Sequence, residues 1–274
     1  MRATYSRLTV PKKSGDDATI GLLFRFDPLG FAEEDRDLVA FFREADRARE
    51  AGRALAACRI RHSISTEIPE ADPFVAYRAL SRPIVVGSRF WLDPGDPSDA
   101  TPPAGRIALR LPASRAFGTG GHESTRLALA ALEDEVEPGT RVLDAGTGSG
   151  VLALAAAALG AAVAVGFDVD VEAVCVAREN LARHEFGSRV RLVAGGATAL
   201  RGSFDVVVAN MLPEELEPLI PELKARLSPR GRLIVSGIPA SAEKQTSRRL
   251  RSRRLTLSGR RAENDWVSLT FARG

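Results

Sequence analysis

Val142-Leu143-Asp144-Ala145-Gly146-Thr147-Gly148-Ser149-Gly150 reads as a buried strand entering a tight glycine turn, and the apolar run to about Leu159 reads as the helix behind it. A second strand at Ala162–Asp168 ends in a carboxylate, Asp168, within Val165-Gly166-Phe167-Asp168-Val169-Asp170. Strand, turn, helix, strand is the repeating unit of an open parallel sheet, and a ligand of such a sheet sits at the carboxyl ends of its strands. Glycines at the turn remove side chains where the backbone bends sharply and must come close to that ligand.

The spacing narrows the ligand. A pyrophosphate turn needs G-x-G-x-x-G, whereas here the spacing is G-x-G-x-G and Val151 stands at the expected third position. Asp144, just before the turn, places a negative charge beside the ligand, which opposes a diphosphate and suits a cation. Asp168 follows about 20 residues on, where a second strand end offers a carboxylate to ribose hydroxyls. A nucleoside carrying a cationic arm, S-adenosylmethionine, fits both acids. A nicotinamide dinucleotide shares Asp168 but calls for the other glycine spacing and no Asp144.

Working outward, the second half of the chain alternates strand and helix, the pattern of an α/β domain with a mostly parallel sheet. Leu129, Leu132 and Val136 keep helical spacing after Ser124 or Thr125, either of which suits the cap of that helix. Val174, Ala177 and Leu181 mark another buried helix face. Val190–Val193 and Phe204–Ala209 are strands, the latter ending at Asn210. Leu216, Leu219, Ile220 and Leu223 line a helix stopped by the turn Ser228-Pro229-Arg230-Gly231, before a strand at Leu233–Val235. Asp265–Ala272 alternates as a late sheet strand.

The first half lacks the glycine turn and any catalytic cluster. Tyr5–Val10, Leu38–Phe42 and Arg59–Ser65 read as short strands, with helices near Ala18–Arg25 and Glu44–Ala57, a small α+β domain. Asp93–Gly105 carries four prolines, two glycines and three aspartates, a linker composition. The expected organisation is therefore an N-terminal domain over 1–92, a linker over 93–110 and the cofactor domain over 111–274.

The 274 residues, 45% of them hydrophobic, suffice for two cores. Cys58 and Cys175 form no C-x-x-C, and His62, His122 and His184 have no metal-ligand spacing, so no metal site is expected. Met1–Asp17 is polar, without a signal-peptide core, and the uncharged run Val151–Phe167 divides into helix and strand; the expectation is a cytoplasmic protein with no membrane segment. Net charge is +3, but Lys244, Arg248, Arg249, Arg251, Arg253, Arg254, Arg260 and Arg261 form one stretch without an acid. A solvated helix face is the plain reading; a weak contact with rRNA or the ribosome through Lys244–Arg261 is the alternative.

Ala116-Phe117-Gly118-Thr119-Gly120-Gly121-His122-Glu123-Ser124-Thr125-Arg126, with the glycine turn, Phe167–Asp170 and Val207-Val208-Ala209-Asn210-Met211-Leu212, resembles the ribosomal protein L-eleven methyltransferase family, PrmA type. The resemblance is close from Ala116 onward and looser upstream, where Ser81–Trp91 looks like the end of that family's N-terminal domain. Phe74 and Tyr77 stand where the family often has tryptophans. The resemblance implies a class I methyltransferase fold, Rossmann-like, with a small N-terminal α+β domain that recognises a protein substrate, a large-subunit ribosomal protein. It implies methyl transfer from S-adenosylmethionine to lysine or other amino groups, with cofactor contacts at Thr125, Gly146, Asp168 and Asn210.

Physical chemistry adds Asp144 and Gly148 to that set and gives each position a reason. Thr125 brings a hydroxyl and a helix N-terminus toward a carboxylate. Asn210 either closes its strand by an Asx turn or faces the crevice as the catalytic amide. Its context, Ala-Asn-Met-Leu-Pro, lacks the proline-aromatic clamp for a planar nitrogen and suits an aliphatic amine. His122, in a glycine-rich loop, is read as pinning that loop rather than as a base. A different protein substrate, a small-molecule amine substrate and a non-catalytic ribosome-binding module are the rival readings.

Overall fold

The computed structural model describes residues 4–11, 17–34, 37–69, 83–94, 100–111 and 121–273. Phe74, Tyr77, Ala116–Gly120 and part of the Asp93–Gly105 loop lie outside them. The chain divides into two compact units, Met1–Leu80 and Ser81–Gly274.

In the first unit, strands β1 (Thr4–Pro11), β2 (Gly30–Glu34), β3 (Asp37–Phe42) and β4 (Ser63–Pro69) form an antiparallel sheet in the order β2-β3-β1-β4. Period-two alternation puts Leu8 and Val10 of β1 with Leu38, Ala40 and Phe42 of β3 on one buried face. Helices α1 (Asp17–Phe24) and α2 (Ala45–Ala57) contribute to that core, α2 burying Ala48, Ala51, Gly52 and Leu55 at helical spacing. The strand expected at Arg59–Ser65 starts later, at Ser63. Helix α2 ends in a Schellman turn, with Arg59 left-handed at φ +59° and the Ile60 N–H bonded to the Leu55 carbonyl, so the chain needs a few residues before extending. Strand β2 carried no alternation that marked it in the sequence.

The second unit opens with β5 (Ile84–Val86), β6 (Phe90–Asp93) and β7 (Ile107–Arg110), a three-stranded sheet in that order, β6 and β7 parallel. These strands lie in and around the segment expected as a linker. Leu92, Leu109 and Leu111 are buried with residues of the second unit's main core, so the division falls near residue 80, upstream of 93–110.

The main sheet comprises β8 (Arg141–Ala145), β9 (Val163–Asp168), β10 (Val190–Ala194), β11 (Phe204–Asn210), β12 (Leu227–Pro239), β13 (Leu255–Glu263) and β14 (Trp266–Arg273). Their order is β10-β9-β8-β11-β12-β14-β13; the first five run parallel, and β14 lies antiparallel between β12 and β13. Helices α3 (Glu123–Glu135), α4 (Val151–Ala158), α5 (Val171–Ala182), α6 (Pro213–Arg226) and α7 (Glu243–Ser252) accompany it. The inner strands are buried on both faces, hence their unbroken apolar runs. The strand order reverses between β8 and β11, and at that switch point an open α/β sheet leaves a crevice outside the strand ends.

Ser228–Gly231 belongs to the start of β12, where the pairing with β11 shifts register between Phe204 and Val206. The basic run Lys244–Arg261 is not one helix face: it divides into α7, a turn with Arg254 left-handed at φ +61°, and β13. No helix of the described residues is long and apolar enough to cross a membrane.

Candidate functional site

The glycine turn is built as its spacing requires. Gly146, Gly148 and Gly150 have φ of +68°, +51° and +82°, a region that side chains rarely adopt. A Cβ on Gly150 would stand 3.1 Å from that of Ala177, so this glycine also lets α4 pack against α5. The turn's own N–H groups are largely spent within the protein. Thr147 donates to the Phe167 carbonyl (2.9 Å), Gly150 to the Thr147 carbonyl (2.8 Å) and Gly148 to Asp168 Oδ2 (3.0 Å). A pyrophosphate cradle needs such donors free.

Asp144 lies beneath the turn and is fully buried. Its Oδ2 accepts from Thr147 Oγ1 at 2.7 Å and from the Ala153 N–H at 3.1 Å, while Oδ1 is enclosed with no partner. Burial pushes its pKa from 3.8 up to about 6; the Thr147 and Ala153 bonds oppose the rise, and the nearby Asp168 charge adds to it. An enclosed carboxylate short of one partner calls for a cation nearby.

Asp168 ends β9 and is half-buried. Each of its oxygens accepts one backbone N–H, Oδ2 from Gly148 and Oδ1 from Asp170, both at 3.0 Å. Each keeps a second lone pair for a ribose hydroxyl. Beyond it Val169 is 78% exposed and Val171 63%, the two most exposed large apolar side chains among the described residues.

Asn210 ends β11, its backbone opposite Ser236 of β12. Its Nδ2 donates to Thr125 Oγ1 at 3.2 Å, and its Oδ1 is enclosed without a partner. Thr125 is buried, and its N–H is committed to the His122 carbonyl at 3.0 Å. The structure thus brings Thr125 and Asn210 together through side chains, and Thr125 offers no free helix N–H. An Asx turn at Asn210 is not what forms; its amide is engaged with α3.

The cap of α3 is His122 rather than Ser124 or Thr125: its Nδ1 accepts from the Ser124 N–H at 3.2 Å and lies 2.8 Å from Ser124 Oγ. The ring also stands edge-on to Trp266 at 4.7 Å. A histidine so engaged fixes the entry to α3. The sequence assigned no role to Thr147 or Ser236, and it read Met211 only as part of the Asn210 context. Thr147 orients Asp144, Ser236 Oγ donates to the Ser124 carbonyl at 2.7 Å, and Met211 Cε lies 3.0 Å from where a Gly146 Cβ would sit. Thr147, inside the glycine turn, carried a signal; Ser236 carried none. Among the described residues, no cluster of three or more His, Cys, Asp or Glu is placed to hold a metal ion.

Two enclosed acceptors without partners, Asp144 Oδ1 and Asn210 Oδ1, together with Asp168 and spent turn donors, fit a nucleoside bearing a cationic arm and not a diphosphate. The chain matches the model of the family described as Ribosomal protein L11 methyltransferase (PrmA) over residues 26–274. It is 38% identical over 220 residues to the ribosomal protein L11 methyltransferase of Pelobacter propionicus, covering 78% of this chain and 71% of that protein. Its identity to that of Geotalea uraniireducens is 38% over 236 residues, covering 80% and 73% respectively. A solved ribosomal protein L11 methylase from Lactobacillus delbrueckii subsp. bulgaricus superposes with a TM-score of 0.64 at 31% identity, covering 70% of this chain and 99% of that one. The fold is that of a class I methyltransferase, the methyl donor is S-adenosylmethionine, and the chain belongs to the ribosomal protein L11 methyltransferase family.

Proposed function

We propose that this chain methylates lysine or other amino groups of a large-subunit ribosomal protein in the cytoplasm. The carrying observation is the Asn210 amide, tethered by Nδ2 to Thr125 and left with an unpartnered Oδ1 at the switch point. That oxygen can accept from an amine N–H and so turn the nitrogen lone pair toward the methyl group. When bound, S-adenosylmethionine would supply an electrophilic methyl on sulfonium: once water has taken a proton from the ammonium, the neutral amine would form the new N–C bond as the C–S bond breaks, giving the methylated ammonium and S-adenosylhomocysteine.

The chain's residues divide the work. Asp168 holds ribose hydroxyls, the exposed Val169 and Val171 offer an apolar face to the adenine ring, and Asp144 balances the cationic arm behind Gly146 and Gly148. Free lysine has a pKa near about 10.4, so the amine must lose its proton before attack. Desolvation and the sulfonium charge both favour the neutral form. Orientation then supplies most of the acceleration, up to roughly 7–11 kcal/mol for well-aligned reactants, without a side-chain base. His122, used as the cap of α3, is not needed as one.

The Met1–Leu80 unit is assigned to recognition of the protein substrate. A weaker contact with rRNA falls to α7, where Thr246 and Leu250 are buried and Lys244, Arg248 and Arg251 follow i, i+4, i+7 spacing on the opposite side. The rest of the basic run is partly neutralised, Arg249 by Glu217, Arg260 by Glu243 and Arg261 by Asp134. Isothermal titration with S-adenosylmethionine, NAD and NADP, followed by labelled-methyl transfer to purified ribosomal protein L11, tests the reading. Binding of NAD instead, or methylation of small amines but no protein, would replace it.

A further inference from the structure

The β13–β14 hairpin closes one edge of the main sheet, beginning two strands beyond β11. Its turn is tied to the first turn of α3. Arg126 reaches Glu263 with Nη2 at 2.5 Å and Nε at 3.1 Å from Oε1, and its Nη1 donates to the Gly121 carbonyl. Asn264, left-handed at φ +48°, donates from Nδ2 to Glu123 Oε1 at 3.0 Å. Trp266 holds the His122 ring edge-on, with the two ring planes 75° apart.

These ties converge on the residues around Thr125. Beyond it, α3 is held by apolar burial of Leu127, Leu129 and Leu132. The first turn is held by polar contacts: the hairpin, the Ser236 hydroxyl and the Asn210 amide. A part-exposed ion pair such as Arg126–Glu263 adds little to stability. It can still fix a position, and a reacting group displaced by about 1 Å costs on the order of 100-fold in rate.

We infer that Glu263, acting with Arg126, Asn264 and Trp266, positions the first turn of α3, and through Thr125 the Asn210 amide that holds the amine. The chain of contact is continuous: Glu263 to Arg126, Arg126 to its neighbour Thr125 along the helix, Thr125 Oγ1 to Asn210 Nδ2, and Asn210 Oδ1 to the substrate. The inference rests on the proposed role of Asn210.

The test is a double-mutant cycle between Glu263→Gln and Thr125→Val, read as single-turnover methyl transfer to purified ribosomal protein L11 at saturating S-adenosylmethionine, with cofactor Kd and Tm measured alongside. Glu263→Gln should slow transfer by about ten-fold, with cofactor Kd changed less than about three-fold and Tm close to wild type. In the Thr125→Val background, where the hydroxyl that holds Asn210 is already gone, Glu263→Gln should cost less than about two-fold more. Asn264→Gly keeps the left-handed turn and removes only the Glu123 tie; a smaller loss, masked in the same way, is expected, and it carries the test if Glu263→Gln does not fold. An active wild type with unchanged Glu263→Gln transfer, or losses that multiply across the cycle, overturns the positioning role alone. A wild type that binds cofactor and methylates no protein overturns the reading of Asn210 and this role with it.

Discussion

Asp144→Asn separates what this site does for stability from what it does for binding. Both protein hydrogen bonds to Asp144, from Thr147 and Ala153, end on one oxygen, Oδ2. An asparagine that puts its carbonyl oxygen there keeps both bonds and brings its NH2 to the position of the unpartnered Oδ1. The charge is what disappears. Burial raises the folded pKa from 3.8 to about 6, which corresponds to roughly 3 kcal/mol of stability removed by ionisation. For an acid shifted upward, the protonated fold is the favoured one: the contribution is complete below about pH 3.8 and is lost as pH rises through about 6. Asp144→Asn should therefore stabilise the cofactor-free protein by about 2–3 kcal/mol at about pH 8, a gain shrinking toward zero near about pH 4. Binding should move the opposite way. Loss of a charge-assisted contact worth about 1.5–3 kcal/mol weakens S-adenosylmethionine roughly ten- to hundred-fold. Urea denaturation across this pH range and calorimetric titration read the two effects. A variant less stable than wild type at about pH 8, or a difference independent of pH, would refute the reasoning about burial.

Asp168→Ala removes the partner of the Gly148 N–H and the proposed ribose acceptor together; cofactor binding should fall by at least about 100-fold in calorimetry while the far-UV dichroism stays wild-type. Gly237→Ala forces a side chain onto φ +76° with its Cβ 2.7 Å from the Met211 carbonyl oxygen, so it should cost at least about 3 kcal/mol in urea denaturation or displace Met211 beside Gly146. Arg248→Glu with Arg251→Glu should leave methyl transfer to free ribosomal protein L11 unchanged and lower the salt dependence of rRNA binding by about two phosphate contacts, measured by filter binding over a salt series.

Most of the second unit was legible because its signals are local. An inner parallel strand is buried on both faces, so Val206–Ala209 and Val142–Leu143 read as apolar runs, and Gly146, Gly148 and Gly150 mark a turn that only glycine makes cheaply. Strand β13 was not legible. Its alternation places Arg260 outward among the charges of an apparent basic helix, and its pairing with β14 is a long-range fact. The cap of α3 was misread for a similar reason: Ser124 and Thr125 are the commoner capping residues, yet both are drawn inward, Ser124 by Ser236 and Thr125 by Asn210. Ile107–Arg110 hid behind the prolines and glycines before it, its partner strand β6 lying on the other side of them. Within the site, the positions of Asp144, Gly146, Gly148, Asp168 and Asn210 follow from strand ends. The pairing of Thr125 with Asn210 and the hold of the β13–β14 turn on His122 and Arg126 depend on side chains far apart in sequence.

The most direct measurement is mass spectrometry of purified ribosomal protein L11 after incubation with S-adenosylmethionine and either wild-type enzyme or Asn210→Ala. The account predicts methyl additions on amino groups with wild type, greatly slowed with Asn210→Ala although that variant still binds cofactor. Cofactor binding with no methylated amine on the protein, or equal methylation by both enzymes, would contradict it.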